Sequence, residues 1–414
     1  MIFSNFFRQI KFNYILYLLL SISIVYLILI FSNDEKSWLH FWKYFENPQM
    51  WPPFRDLDHV RESWICKMKG IDPFLSNPCD FTNVRYQYPS SWLYIFQFFK
   101  LENDNNYFFF ILITLSIYLF FNFCLIEIAQ KYFNKIVIIL LIFSTTNTLL
   151  IERGNVDYLI FIFVYLMMFS NKYLYNLILI IFNSTLKIYP FFLFFYLLKQ
   201  KKFILFTFFS ILVTILILYD ISLSKYIDKN HSIMALSQSY GVQSIIEGFF
   251  KTIEKKYYFF FSENNKNLIR LIGSLSFLII SIIFFYKGTK SSNLVPLNRA
   301  KNKFNLDTKE KLFTLGSCIY IGTYIFYGNV DYRLIFLFLT IPFIENLNQK
   351  INYVYSLSVV IISNSWFFSL VPLTIEHIIY TTFLYSIKMM IFLYLSYLLG
   401  KINKNFFQLK WNKF

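Results

Sequence analysis

Apolar runs of about 20 residues, the length that carries a helix across a bilayer, recur from one end of this chain to the other. A backbone in hydrocarbon has no water to bond, so such runs must close their hydrogen bonds internally, as helices do. The first, NYILYLLLSISIVYLILIF, is long for a signal-peptide core and has no small-residue cleavage site after it, so it reads as a retained helix. Composition agrees: of 414 residues, 57% are hydrophobic and 15% charged, against about 25% charged in soluble domains. The expectation is an all-α integral membrane protein, a single polytopic unit over residues 1–414.

The runs predict membrane helices at Tyr14–Phe31, Tyr107–Ile126, Ile136–Leu150, Tyr158–Phe169, Tyr173–Leu186, Phe191–Leu198, Phe203–Tyr219, Leu268–Tyr286, Leu312–Phe326, Leu334–Ile344, Tyr353–Leu370 and Ile379–Leu399, about twelve in all. The pieces flanking Pro190 are short for spans and form either one kinked helix or a re-entrant hairpin. Short cytoplasmic loops carry the excess of Lys and Arg. Alternating from the N-terminus, the basic ends and loops are Arg8/Lys11, Lys131/Lys135, Lys172, Lys199–Lys202, Lys287–Lys311, Lys350 and Lys401–Lys413. They share one side only if the pieces around Pro190 count as two crossings, which supports the hairpin. Both termini are then cytoplasmic, residues 287–311 form a basic cytoplasmic loop, and residues 33–106 and 220–266 are outer loops. All four histidines, His40, His59, His231 and His377, fall on the outer face, which implies a polar chamber there. The net charge of +16 lies largely in the inferred cytoplasmic parts, where it meets anionic headgroups and not nucleic acid. No dedicated protein partner is visible.

The pentapeptide GNVDY occurs twice, at Gly154–Tyr158 and at Gly328–Tyr332, each at the head of an apolar run and at the outer mouth. Gly supplies a turn, and Asn or Asp caps the next helix. Capping leaves a cation beside each copy unexplained: Arg153 before the first and Arg333 after the second. An Arg at the membrane boundary must pair or face water. It either pairs with the neighbouring Asp or binds a phosphate where a helix starts. Lys187, in STLKIYP, adds a third cation at the same depth.

The outer segment PPFRDLDHVRESWICKMKGIDPFLSNPCDFTNVRYQYPSSW is too polar for membrane, yet rich in Trp, Tyr and Pro, as suits a folded cap on the interface. Asp56 and Asp58 precede a short predicted helix, HVRESWICKMKG. Either carboxylate supplies a general base, or one or both cap that helix. Cys66 and Cys79 lie in this loop, forming a disulfide in an oxidising space or remaining two free thiols. Cys124 and Cys318 fall in membrane segments. No zinc spacing, phosphate loop, dinucleotide glycine pattern or GxSxG elbow occurs. The sequence calls for no cofactor and leaves a divalent metal open.

In order, RDLDHV, GIDPF, YQYPSSW, ERGNVDYLIFIF and LKIYPFFLFF resemble the polyprenyl-phosphate-mannose-dependent alpha-mannosyltransferase family of the GT-C glycosyltransferases. The resemblance covers roughly the first half of the chain, and DYRLIFLFLTIP looks like a feature of an uncharacterised bacterial branch. It implies a GT-C-like helical bundle in the bacterial inner membrane. Such an enzyme moves a sugar from a polyprenyl-phosphate carrier to a hydroxyl of a lipid or glycan acceptor on the outer face. Family members use an Asp of the first outer loop as base; by its distance before GIDPF, Asp56 matches better than Asp58. The leaving phosphate needs cations, for which Arg153, Lys187 and Arg333 are the candidates, followed by His377 and Arg85. Asp157 and Asp331 would orient the Arg of their own turn, with Asn155 and Tyr189 in support. Two departures, Asn155 where the family often has Gln and YQYPSSW for the commoner YPP, bear on the substrate; mannose comes from the family name alone. A polysaccharide polymerase or ligase would also use lipid-linked sugar, but transfers a whole glycan. A transporter or flippase would have similar helices, and Lys388 is the main ionisable residue within a span that speaks for one, snorkelling or a polar helix contact being its other explanation.

Overall fold

The computed structural model describes residues 12–32, 34–43, 50–132, 135–170, 172–198, 239–257, 261–291, 306–326, 329–344, 347, 349–364 and 375–403. These are mostly helical, with one short antiparallel ladder pairing Ser239 with Val330 and Tyr240 with Asn329. Among the described residues, three helical stretches are long and apolar enough to cross a membrane: Asp104–Ile126, Asn264–Lys290 and Thr381–Ile402. The chain is thus membrane-associated. Ser21–Ile30, Asp157–Met167, Tyr173–Leu186, Arg333–Ile344 and Tyr353–Ser363 are shorter apolar helices. The expected span Phe203–Tyr219 and residue His231 lie outside the described residues.

The fold forms two compact units, Met1–Phe163 and Val164–Phe414. The first opens with α1 (Phe12–Phe31) and α2 (Glu35–Lys43), followed by α3 (Arg55–Met68) and α4 (Ser91–Phe98). Next come α5 (Asp104–Tyr132), α6 (Lys135–Ile142), α7 (Thr145–Arg153) and α8 (Asp157–Met167), the last running into the second unit. One long helix was expected over Ile136–Leu150, but it breaks at Ser144. This residue is extended (φ −61°, ψ 146°) and its side chain accepts the Asn147 N–H, so α7 starts with a Ser N-cap.

The polar segment between α1 and α5 has a core of its own. Trp38, Trp42, Phe54, Leu57, Trp64, Tyr86, Trp92 and Phe96 are buried, each contributing roughly 1.5–3 kcal/mol if fully shielded. A Cys66–Cys79 disulfide closes it, with Cα atoms 5.6 Å apart. Arg61 ties the segment to the start of α5: its guanidinium donates to the Leu101 and Glu102 carbonyls and lies 4.4 Å from the Tyr107 ring centre. α3 begins earlier than predicted. Arg55 is its first residue, so Asp56 and Asp58 sit inside the first turn, where the helix dipole favours negative charge.

The second unit contains α9 (Tyr173–Leu186), a 3-10 turn (Tyr189–Leu193), α10 (Phe194–Leu198), β1 (Ser239–Tyr240), α11 (Val242–Tyr257) and α12 (Glu263–Lys290). It continues with α13 (Leu306–Phe326), β2 (Asn329–Val330), a 3-10 segment (Asp331–Leu339), α14 (Ile341–Ile344), α15 (Gln349–Ser363) and α16 (Ile375–Ile402). α9 stops where Lys187 turns extended (φ −151°, ψ 152°), and the chain re-enters helix through Pro190, whose missing N–H costs nothing at a first turn. α12 and α16 pack backbone to backbone. A Cβ on Gly400 would fall 1.9 Å from the Phe285 carbonyl, and one on Gly288 2.0 Å from that of Tyr397; small residues permit such approach in membrane helices. The outer side of α12 exposes Leu268, Leu271, Ile272, Leu275 and Ile279, as a helix facing hydrocarbon does.

Candidate functional site

The first GNVDY copy is a joint between two helices. α7 ends at Gly154, which is left-handed (φ 61°, ψ 35°), and the Asn155 N–H reaches back 2.8 Å to the Leu150 carbonyl, a glycine-closed helix end. Asn155 Oδ1 then accepts the Asp157 N–H at 3.1 Å and starts α8. The turn and the cap are both as the sequence predicts. Gly154 is demanded twice over, because a Cβ there would also meet Leu57 Cδ1 and Phe54 Cβ at 3.0 Å.

That close approach brings the first turn of α3 against the joint. Phe54, itself left-handed (φ 58°), donates its N–H to the Glu152 carbonyl at 3.2 Å. Glu152 Oε1 accepts the Met50 N–H at 3.1 Å, and its other oxygen lies 2.8 Å from Arg153 Nε. The other end of the Asn155 amide reaches α3: Nδ2 donates to Asp56 Oδ2 at 2.5 Å. Asp56 is half-buried and opens onto a small cleft lined by Leu57, Val60, Tyr88, Trp92, Gly154 and Val156. The cleft encloses about 10 Å³, about the room of one water.

Behind Asp56, on the other side of the same helical turn, sits a buried ionic cluster. Arg55 Nη1 donates to Glu62 at 2.8 Å and to Asp58 at 3.3 Å, while Nη2 donates to both Asp80 oxygens at 2.7 and 2.5 Å and to Thr82 Oγ1 at 3.0 Å. His59 Nδ1 lies 2.6 Å from Asp80 Oδ2. Burial, aided by the charge of Asp58, pushes the Glu62 carboxyl up to about 7 against the pull of Arg55. Burial also raises Asp58, opposed by Arg55 and Arg61. For Asp80 burial is outweighed: hydrogen bonds from His59 and Thr82 and the charges of His59 and Arg55 hold its carboxyl well below the ordinary range. Asp58 therefore faces the guanidinium and Asp56 faces the cleft, so the two acids that the sequence offers as bases stand in different surroundings.

The other candidates divide between the units. Arg153 and Asp157 are buried and Arg85 is half-buried in the first. In the second, Asp331 opens the 3-10 segment and meets Lys388 of α16: Nζ donates to its oxygens at 2.9 and 3.0 Å and to the Ser239 carbonyl at 3.1 Å. The Arg333 guanidinium lies 4.8 Å from the Tyr189 ring centre, and that ring packs on Phe336 at 5.7 Å. Lys187 is buried at the end of α9, its N–H on the Asn183 carbonyl. Gly328 and the side chain of His377 lie outside the described residues.

Glu62, Asp80 and Glu152 were not singled out from the sequence. One signal was available: Arg55, Asp58, His59 and Glu62 follow the three-to-four-residue rhythm of one helix face, and Asp80 adjoins Cys79. Against family models, curated proteins and solved structures, the chain finds no match.

Proposed function

We propose that this protein is a membrane glycosyltransferase. It moves a hexose, for which mannose is the first candidate, from a polyprenyl-phosphate-sugar to an acceptor hydroxyl at the outer face of the bacterial inner membrane. The observation that carries the reading is Asp56: a half-buried carboxylate beside an aromatic-lined cleft, held by the neutral Asn155 amide. A neutral donor orients the carboxylate without cancelling its charge, which suits a general base. The cleft has room for a hydroxyl.

In the reaction, Asp56 takes the acceptor's hydroxyl proton as that oxygen bonds to the anomeric carbon. The bond from that carbon to the phosphate oxygen breaks, and its electron pair leaves with the lipid phosphate. The transition state is oxocarbenium-like, and the growing phosphate charge calls for cations. Which cation serves is tested residue by residue, with Arg153 in the first unit and Lys187 and Arg333 in the second. Support against the transporter comes from Lys388, whose charge is matched by Asp331 and asks for no transported ion.

The test is transfer of radiolabelled mannose from polyprenyl-phosphate-mannose in membranes carrying wild type or Asp56→Asn at matched expression. Transfer by wild type and loss in the variant is the expected result. Full activity in Asp56→Asn removes the base. Silence of wild type across a panel of lipid-linked monosaccharides rejects the monosaccharide transferase and moves the reading to transfer of whole glycans.

A further inference from the structure

The buried cluster behind Asp56 has no part in the chemistry above, yet its groups are densely bonded to one another. Asp80 is its centre. Its carboxylate accepts from Arg55 Nη2, from His59 Nδ1, from Thr82 Oγ1 at 2.6 Å, from the Thr82 N–H at 2.8 Å and from the Val84 N–H at 3.3 Å. Arg55 and His59 stand four residues apart on α3, so one carboxylate grips the first two turns of that helix from the side.

We propose that Asp80 is a positioning residue for Asp56, held in register by the Cys66–Cys79 disulfide beside it. The inference rests on the reading of Asp56 as the base. Consecutive residues on a helix point about 100° apart, so anchoring Arg55 to Asp80 sets Asp56 on a different face, toward Asn155 and the cleft. The anchoring also governs charge. Arg55 adjoins Asp56 in the sequence, and a guanidinium pairing with the base would hold its proton affinity down. Asp58, Glu62 and Asp80 together engage that guanidinium and keep it on the far side of the helix.

The disulfide supplies the rigidity. Cys66 is in α3 and Cys79 immediately precedes Asp80, so the bridge closes the 66–79 loop on the helix that Asp80 grips. The later turns of α3 have independent anchors, Arg61 on the Leu101 and Glu102 carbonyls and Trp64 Nε1 on Glu102. Losing Asp80 or the bridge should therefore loosen the first turn and leave the body of the helix in place. The chain has four cysteines, and Cys124 and Cys318 are buried free thiols, so a reductant acts on this bridge.

The experiment uses the full chain in lipid nanodiscs and compares wild type, wild type reduced with dithiothreitol, Asp80→Asn, Asp80→Glu and the double variant Cys66→Ser/Cys79→Ser. Hydrogen exchange is read first, at the Leu57 and Asp58 amides that bond the Phe54 carbonyl. Exchange there should rise on the order of tenfold in Asp80→Asn, in the double variant and on reduction, with α16 amides unchanged; no local rise overturns the proposal. Transfer is read second. Asp80→Asn and reduction should lower kcat, by up to about 100-fold for a misplaced catalytic group, while KM for the lipid donor stays within about twofold and Asp80→Glu recovers part of the rate. A local rise in exchange with kcat unchanged overturns the proposal as well. If wild type transfers nothing, it is the reading of the function that fails, and the exchange data alone decide whether Asp80 holds this turn.

Discussion

The two GNVDY sequences share five residues in a row, and their described residues make different structures. In the first unit Gly154 ends a helix, Asn155 starts the next one and grips Asp56, and Asp157 opens α8. In the second, Asn329 and Val330 pair with Tyr240 and Ser239 in a ladder, and Asp331 goes to Lys388. The difference lies in what each turn is packed against. Gly154 has α3 pressed on it, which brings a carboxylate within reach of Asn155; Asp331 has a buried lysine, so its carboxylate is used for holding the fold. The same local chemistry becomes a candidate reaction site in one place and a clasp in the other.

Exchanging Asp for Asn in the two units is the sharpest way to break this comparison. Asp56→Asn should lower transfer by about 10²–10⁴-fold, the usual contribution of a general base, with an unchanged melting temperature; a melting temperature that falls with activity would make Asp56 a structural residue. Asp331→Asn should do the opposite and act on stability. Breaking a buried pair from one side costs about 3–5 kcal/mol, so Asp331→Asn and Lys388→Met should each unfold earlier on heating in detergent. The double variant should regain much of the loss, and equal loss in single and double variants would deny the clasp.

Gly154→Ala follows in size. The left-handed backbone and the 3.0 Å approach of Leu57 and Phe54 together put its cost at about 1–3 kcal/mol, measurable as a lower melting temperature together with reduced transfer, because the same contact sets Asp56. The smallest effect is a pH dependence to which the ionic cluster contributes. Glu62 is raised from 4.5 to about 7 in the folded protein, so the fold binds its proton more tightly than the unfolded chain. Its contribution is complete below pH 4.5 and is lost as pH rises through about 7. Asp80 is depressed from 3.8, so its contribution is present above that value and is lost as pH falls below it. Glu62→Gln should flatten the melting-temperature slope between pH 4.5 and about 7 and leave the acid limb in place.

Much of the fold was legible where local chemistry governs. Tyr173–Leu186 is helical over the predicted span, and the Gly-Asn joint at 154–155 turns and caps as its residue types require. The predictions departed where a polar side chain or Pro competes with a helix inside an apolar run. Ser144 divides the expected Ile136–Leu150, and the runs starting at Phe191 and Leu334 begin in 3-10 geometry. Within the candidate site Asp56 was legible and its surroundings were not. The three-residue spacing sets Asp58 on the Arg55 face, but nothing near position 56 announces that Asp56 will face Asn155.

The sequence by itself determined that this chain is helical and membrane-associated, that Gly154 turns and Asn155 caps, and that Asp56 and Asp58 are acids at the head of a helix. These follow from hydrophobic run length and from bonds between residues a few positions apart. The tertiary structure decided which charge meets which. Asn155 and Asp56 are separated by 99 residues, Lys388 and Asp331 by 57, and Arg55 and Asp80 by 25. Such pairs carry no period, and a charge in a buried place takes whichever partner packing delivers, because leaving it unpaired there costs more than any local preference.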